Sequence, residues 1–332
     1  MPRAPGFWTK PGHPLARLLS PLGAVVGLVA ARRMGRPALH RPSMPVICIG
    51  NFVAGGQGKT PLALALAAVL KARGRDPVFL SRGYGGTQSG PLLIGHETAE
   101  DVGDEPLLLA RAAPCIVARD RVAGARLAET LGLGAPVLIL DDGFQNPALA
   151  KRLSLVAVDA GFGFGNGYVL PAGPLRAPLA AQWPQADAVV LIGERASADV
   201  EAAAQRAETP VLRASLQADR GAIASGSPLV AYAGIGRPAK FFDTLKGLGA
   251  ALAATRAFPD HHAYTEEDAR ALLALAEAHG ARLVTTEKDA ARLANTRTPD
   301  LAALYAGSDV LPVALTFDVP DALTDLLREK GL

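Results

Sequence analysis

From Pro45 onward, short apolar runs alternate with longer amphipathic stretches, the pattern of parallel strands joined by crossover helices. The runs predict strands at Val46–Ile49, Val78–Leu80, Cys115–Val117, Val137–Leu140, Leu155–Val158 and Ala188–Ile192. Helical periodicity between them marks Pro61–Ala72, Glu105–Ala112, Arg121–Leu131 and Ala198–Ala207. A second series opens near Pro228 with a strand at Leu229–Ala233. It continues through helix Ala239–Leu248, a strand near Ala253–Phe258, helix Glu266–Ala278, strand Arg282–Thr285 and a final strand–helix pair. The polar, turn-rich stretch QADRGAIASGSP at 217–228 separates the two series. The expected architecture is α/β. A mostly parallel sheet with helices on both faces occupies residues 41–220, and a smaller C-terminal α/β domain occupies 228–332.

Residues 1–40 follow a different pattern. Leu18 to Ala31 is a run of 14 residues without a charge, bracketed by Arg17 and by Arg32-Arg33. That is too short to span a bilayer comfortably, and no small-residue cleavage pattern follows it. With Phe7, Trp8 and basic flanks it suits a helix lying in the headgroup layer of an anionic membrane, the alternative being a helix docked on the protein's own core. Pro21, Gly23 and Gly27 weaken a regular helix on either reading.

Charge placement sharpens this picture. The net charge of +3 is an average: no acidic residue precedes Asp76, and the first 45 positions carry 7 basic groups. Taking those 7 from the 34 Lys and Arg leaves 27 against 31 acidic groups, a body of −4. A uniformly basic nucleic-acid binder is not built this way, so the split assigns the N-terminus to an anionic surface. With 332 residues, 49% hydrophobic and 20% charged, the chain is long and apolar enough for two folded domains. Cys48 and Cys115 fit neither a metal spacing nor a disulfide framework, which suits a reducing cytosol.

The strongest chemical signal is GNFVAGGQGKTP at 50–61, a glycine loop between an apolar strand and an Ala/Leu-rich helix, as in a P-loop NTPase-type sheet. Gly55, Gly56 and Gly58 would turn backbone N–H groups toward phosphate oxygens, Lys59 would reach the β- and γ-phosphates, and Thr60 would ligate Mg2+. The first glycine of the standard pattern is replaced by Val53. At the end of a second buried strand, Asp141 and Asp142 in LDDGFQ are where such proteins hold Mg2+ or its water. SRGYGG with Tyr84 suits a loop wrapping phosphate or sugar, while Asp104 in VGDEP could simply cap a helix. Arg176 in LPAGPLR is a candidate to neutralise a transferring phosphoryl group. FPDHHAY puts His261 and His262 in one loop without a Cys or a third His, which argues against zinc, and TTEKDA ends another strand.

Taken in order, GNFVAGGQGKTP, SRGYGG, VGDEP, LDDGFQ, LPAGPLR, FPDHHAY and TTEKDA resemble the tetraacyldisaccharide 4'-kinase family, the lipid A 4'-kinases of Gram-negative bacteria. The resemblance covers about residues 7–290. It implies ATP-dependent phosphorylation of the 4'-hydroxyl of an acylated glucosamine disaccharide 1-phosphate, with ATP and Mg2+, at the cytoplasmic face of the inner membrane. Nucleic acid is excluded as a partner and no protein partner is implied. The matching positions implied for activating the hydroxyl are Asp104 and His261, with the smaller domain closing over the site. Lys59 and Thr60 are implied for phosphates and Mg2+, Asp141 and Asp142 for the metal and nearby ligands, and Gln145, Tyr84, Arg121 and Arg176 for the nucleotide or its phosphates. The chain departs from the family where Arg-Glu usually follows GPL: here Arg176-Ala177 stands. The competing expectation is a membrane-associated switch ATPase with no lipid acceptor. A lipid-binding module with a degenerate nucleotide site is disfavoured by the presence of Lys59, Thr60, Asp141 and Asp142.

Overall fold

The computed structural model describes residues 5–193, 197–219, 221, 226–296 and 298–332. Part of the expected inter-domain stretch, residues 220 and 222–225, lies outside the described residues, as does Arg3. The strands are β1 (Val46–Gly50), β2 (Asp76–Ser81), β3 (Leu92–Leu93), β4 (Cys115–Val117), β5 (Pro136–Asp141), β6 (Leu153–Asp159), β7 (Ala188–Ile192), β8 (Val211–Ala218), β9 (Leu229–Ala233), β10 (Leu252–Ala257), β11 (Arg282–Thr286), β12 (Ser308–Leu311) and β13 (Val313–Phe317). The helices are α1 (Pro14–Met34), α2 (Lys59–Ala72), α3 (Ala99–Val102), α4 (Asp104–Ala110), α5 (Arg121–Glu129), α6 (Leu179–Gln182), α7 (Ala198–Arg206), α8 (Pro238–Gly247), α9 (Glu266–Ala278), α10 (Glu287–Leu293), α11 (Pro299–Ala306) and α12 (Ala322–Glu329).

Nine strands form one sheet in the order β13-β8-β7-β6-β1-β5-β2-β4-β3, and four form a second, β10-β9-β11-β12. The large sheet is parallel except at its two edges, where β3 and β13 run antiparallel. Its central strands VICIG and AVVLI are buried at every position, as a parallel sheet covered on both faces requires. From β1 the chain crosses through α2 to β2, and β5 then inserts between them, pairing Ile49 with Asp141. The carboxyl ends of β1 and β5 are thereby neighbours at a switch in strand order, where open α/β sheets bind ligands. Helix α2 seals one face with Leu62, Leu66 and Leu70, each fully buried and each contributing about 2 kcal/mol.

Two expectations need correction. Residues 313–332 do not belong with the smaller sheet: β13 pairs with β8, Leu315 opposite Leu216, and α12 buries Leu323, Leu326 and Leu327 in the core that α2 covers. The alternation in VALTF has the same form whichever sheet it joins, so the partner was not readable locally. The second correction concerns α1, a continuous helix despite Pro21, Gly23 and Gly27. Pro21 has no N–H for the Arg17 carbonyl, and the Ser20 hydroxyl donates to that oxygen instead at 2.8 Å. The glycines are close-approach points. A Cβ on Gly23 would stand 2.8 Å from the Val169 carbonyl oxygen, and one on Gly27 3.2 Å from Pro178. Away from that contact Leu15, Leu18, Leu22, Val25, Val26, Leu28 and Val29 are exposed, so α1 is not a core helix. By length and composition it is sufficient to cross a membrane, its 21 residues extending past the uncharged run at both ends.

Candidate active site

The glycine loop between β1 and α2 is fastened from behind. Asn51 Nδ2 donates to the Gly55 carbonyl at 3.1 Å, the Ala54 N–H donates to the Pro174 carbonyl at 2.8 Å, and Gln57 Oε1 accepts from the Asp159 N–H at 2.8 Å. Val53, at the place of the standard motif's first glycine, is buried and bridges to Leu175, so its side chain belongs to the core. Gly58 caps α2 at φ +83°, and a Cβ there would press within 2.6 Å of Ile192. In front of Gly55 and Gly56 a Cβ would meet no protein atom within 4 Å. Among the described residues, the N–H groups of Gly55, Gly56, Gln57 and Gly58 donate to no backbone carbonyl. Open space faced by unpaired N–H groups at a helix N-terminus is an anion cradle.

Asp141 ends β5 and Asp142 turns the chain at φ +52°, sending the two carboxylates apart. Asp142 faces the loop: its Oδ1 lies 3.6 Å from Lys59 Nζ and 3.0 Å from Arg176 Nη1, and its Oδ2 accepts from Arg176 Nη1 at 3.1 Å. Arg176 Nε also donates to the Val53 carbonyl at 3.2 Å, tying the LPAGPLR loop to the glycine loop. Burial acts against the Asp142 charge, yet Lys59 and Arg176 prevail and hold its carboxyl below the usual range. Asp141 goes the other way. Burial pushes it up to about 7, with Glu105 and Asp142 adding repulsion and Lys59 opposing. Ser81 donates to its Oδ2 at 3.2 Å, while its buried Oδ1 has no hydrogen-bond partner. The orphaned, buried Asp141 oxygen, in the field of the Asp142 carboxylate, fits a hard divalent cation, which would supply the missing charge, and Thr60 is buried at the start of α2.

The second cluster joins the two sheets. Asp104 opens α4, is 6% exposed, and its Oδ2 meets His261 Nδ1 at 3.1 Å. His261 stands in the loop after β10 at φ +57°, its N–H bound to the Gly234 carbonyl at 3.1 Å. Arg292 on α10 donates to the same Asp104 Oδ2 from Nη2 at 2.6 Å and Nε at 3.0 Å. Burial would raise the Asp104 carboxyl, but the His261 hydrogen bond and the Arg292 and Lys288 charges outweigh it and hold the group far below the ordinary range. Beside it Lys288 Nζ donates to Glu105 Oε1 at 2.8 Å. Burial also works against the Glu105 charge, but Lys288 and Lys59 together keep it lowered, so Glu105 lies in the field of both clusters.

A family model for tetraacyldisaccharide-1-P 4'-kinase, LpxK, matches residues 15–331. The chain belongs to that family. It is 55% identical over 319 residues to the tetraacyldisaccharide 4'-kinase of Methylorubrum extorquens strain PA1, covering 95% of this chain and 94% of the relative. It is 50% identical to that of Rhodopseudomonas palustris strain BisB18, covering 99% and 96%. The crystal structure of LpxK from Aquifex aeolicus in complex with ATP superposes with a TM-score of 0.74 at 26% identity, covering 96% of this chain and 100% of that one. The α/β fold with its mostly parallel sheet and apolar N-terminal helix is thus the fold of the 4'-kinase family.

Set against the sequence expectations, the structure brings Lys59, Asp141, Asp142 and Arg176 together at one edge, and Asp104 and His261 at the other. Gln145 Nε2 donates to the Asn51 carbonyl at 2.7 Å and to Gln182 Oε1 at 2.9 Å. Tyr84 is 54% exposed. Arg121 is buried, with Nη1 on the Ala118 carbonyl and Nε unpartnered. Burial lowers its guanidinium and Asp141 opposes that effect. Ala177, at the family's usual Glu, is fully buried, and its carbonyl accepts from Gln182 at 2.7 Å. His262 pairs with Asp268 at 2.9 Å and stacks on Phe258, taking no part in the Asp104 cluster. Glu105, Lys288 and Arg292, with Asp289 behind Arg292, are neighbours of Asp104 that no motif assigned. Part of the signal was present in TTEKDAARL, which spaces Asp289 and Arg292 one helical turn apart.

Proposed function

We infer that this chain transfers the γ-phosphoryl group of ATP to the 4'-hydroxyl of a tetraacyldisaccharide 1-phosphate, yielding the bisphosphorylated lipid IVA of lipid A biosynthesis. The observation that carries this reading is the assembled Asp104–His261 pair at 3.1 Å beside a glycine loop and its lysine, in a chain of the 4'-kinase family. With Nδ1–H held by Asp104, His261 presents Nε2 as an acceptor for the hydroxyl proton. The oxygen then forms its bond to the γ-phosphorus as the bond to the β-phosphate oxygen breaks, and ADP leaves. Lys59, Arg176 and the N–H groups of the glycine loop hold the charge spread over the transferring group. Asp141, Asp142 and Thr60 would hold Mg2+, which when bound neutralises charge between the β- and γ-phosphates. The smaller domain, supplying His261, covers the acceptor side of the site.

The membrane supplies the acceptor. One face of α1 is seated on residues 169–178 and the other presents a row of aliphatic side chains flanked by Arg17, Arg32 and Arg33, which suits a helix lying in the interface of the inner membrane's cytoplasmic leaflet. A helix docked along the body cannot also be ringed by lipid, so we favour a monotopic arrangement over a span. A cleft of about 420 Å3 lies between Val25, Val26, Val29, Ala30 and Arg33 of α1 and the side chains of Gln145 and Arg176, leading from the apolar face toward the phosphate cluster.

Purified protein incubated with γ-labelled ATP and acylated disaccharide 1-phosphate is expected to place the label in the lipid fraction. Release of inorganic phosphate at the same rate with and without the lipid, and no labelled lipid, would support a switch ATPase instead. Membership of the 4'-kinase family disfavours that alternative.

A further inference from the structure

Among the described residues Arg292 is one of the side chains with four hydrogen bonds, and no motif singled it out. Arg292 is 6% exposed at its side chain, and each guanidinium nitrogen has a partner. Nε and Nη2 both donate to Asp104 Oδ2, at 3.0 and 2.6 Å, and Nη1 donates to Asp289 Oδ1 and to the Gly234 carbonyl, each at 2.6 Å. Asp289 is itself fixed, its Oδ1 accepting from the Gly234 N–H at 3.0 Å and the Tyr264 hydroxyl at 2.9 Å, and its Oδ2 from Thr286 Oγ1 at 2.6 Å. Gly234 is the common point, because its carbonyl also receives the His261 N–H. A Cβ there would stand 3.1 Å from Asp289 and 3.2 Å from both Arg292 and His262.

We propose that Arg292 is a positioning residue for the Asp104–His261 pair, its fixed fork setting the rotation of the Asp104 carboxylate so that Oδ2 meets His261 Nδ1 and Nε2 is turned to the acceptor hydroxyl. This rests on the kinase reading above. Asp104 Oδ2 takes three donors, two from Arg292 and one from His261, while Oδ1 takes the Glu105 N–H, which leaves the carboxylate no freedom to turn. Holding α10 against α4 is not the reason for this ion pair. An apolar seam of Val102, Leu107, Leu108 and Ala291 already closes that contact, and Lys288–Glu105 bridges it again. A buried ion pair is a weak source of stability, and two carboxylates committed to one guanidinium serve orientation better than adhesion.

The charged groups facing Asp104 are His261 from the β10 loop, Arg292 and Lys288 from α10, and Glu105 on its own helix. Asp289 acts through Arg292, and Asp260 lies 3.9 Å from His261 Nε2. Removing the Arg292 charge makes the pair easier to protonate, so the acid limb of the rate profile moves to higher pH. In the lipid phosphorylation assay, Arg292→Gln is expected to lower kcat about a hundredfold, leave the KM for ATP within about twofold, and raise the acid limb by about one pH unit. In a His261→Ala background the same substitution is expected to cost no more than about threefold further. Arg292→Lys keeps the charge but loses the fork. It is expected to lower kcat about tenfold with the acid limb in place, and it serves as the test should Arg292→Gln not fold. Loss of rate with an unmoved limb in Arg292→Gln, a moved limb in Arg292→Lys, or full multiplicative loss in the His261→Ala background would each overturn the proposal. Wild-type protein in the same assay separates the two readings. No labelled lipid from wild type fails the kinase assignment, whereas active wild type with unaffected variants fails only the role of Arg292.

Discussion

Exchanging Asp104 for asparagine is expected to lower kcat for lipid phosphorylation about a thousandfold while ATP affinity stays within about twofold. Asparagine matches the carboxylate in shape and can set its one amide oxygen where Oδ2 meets Arg292 and His261, but it carries no charge and leaves its NH2 against the Glu105 N–H. The imidazole then loses the negative charge that stabilises it as it takes up the hydroxyl proton. A cost in stability accompanies the loss of rate, because the buried guanidinium of Arg292 keeps Asp289 but loses the charge at its other end. That cost is about 3 kcal/mol, the lower end for breaking a buried pair. Its pH dependence has a definite sign. The folded-state carboxyl of Asp104 lies below its unfolded value, so its contribution is complete above the unfolded value near 4 and fades as pH falls toward the lowered one. The gap in unfolding free energy between wild type and Asp104→Asn is therefore constant above about pH 5 and narrows below about pH 4. Urea unfolding at a series of pH values measures it, and a gap that widens on acidification would contradict the assignment.

Replacing Leu22, Val25 and Val29 together by glutamate is expected to cut binding to vesicles containing anionic phospholipid by about a thousandfold, with ATP affinity and melting temperature unchanged. All three side chains are exposed on α1. At about 1.5 kcal/mol for each aliphatic side chain withdrawn from the lipid interface, the loss reaches that size before charge repulsion is added. The three substitutions avoid Gly23 and Gly27, so the seat of α1 on residues 169–178 is kept. Deleting residues 1–40 would remove both the aliphatic row and that seat. Co-sedimentation undiminished in the triple variant would exclude α1 as the membrane contact.

How much was legible in the sequence depended on whether a property was local. Six strands of the large sheet, the glycine loop and the Asp141–Asp142 turn followed from runs and motifs, and those strands agree to within two residues, whereas β3 and β8 were not expected and the pairing of Asp104 with His261 was implied only by the family resemblance. What escaped was set by pairing across the fold. The return of β13 to β8 is decided by an edge more than ninety residues earlier in the chain, at 211–218. Gln145 lines the cleft that Arg176 also borders, and its amide is held by the Asn51 carbonyl and by Gln182, a buried partner with no motif of its own. Arg292 resembles any helix-ending arginine until Asp104 arrives from the other sheet. In α1 the glycines read as helix breakers because propensity alone was visible, and only the Val169 carbonyl and Pro178 show them to be points of close contact.

We propose that a histidine and a carboxylate brought together from two sheets activate one hydroxyl of a membrane lipid to take the phosphoryl group of ATP. The most direct test is the phosphorus–proton correlation spectrum of lipid recovered after incubation with wild-type protein, ATP and Mg2+. A second phosphomonoester correlated with the proton on the 4' carbon is expected with wild type and not with Asp104→Asn. ATP consumed with no new phosphomonoester, or a phosphate correlated with any other ring proton, would contradict it.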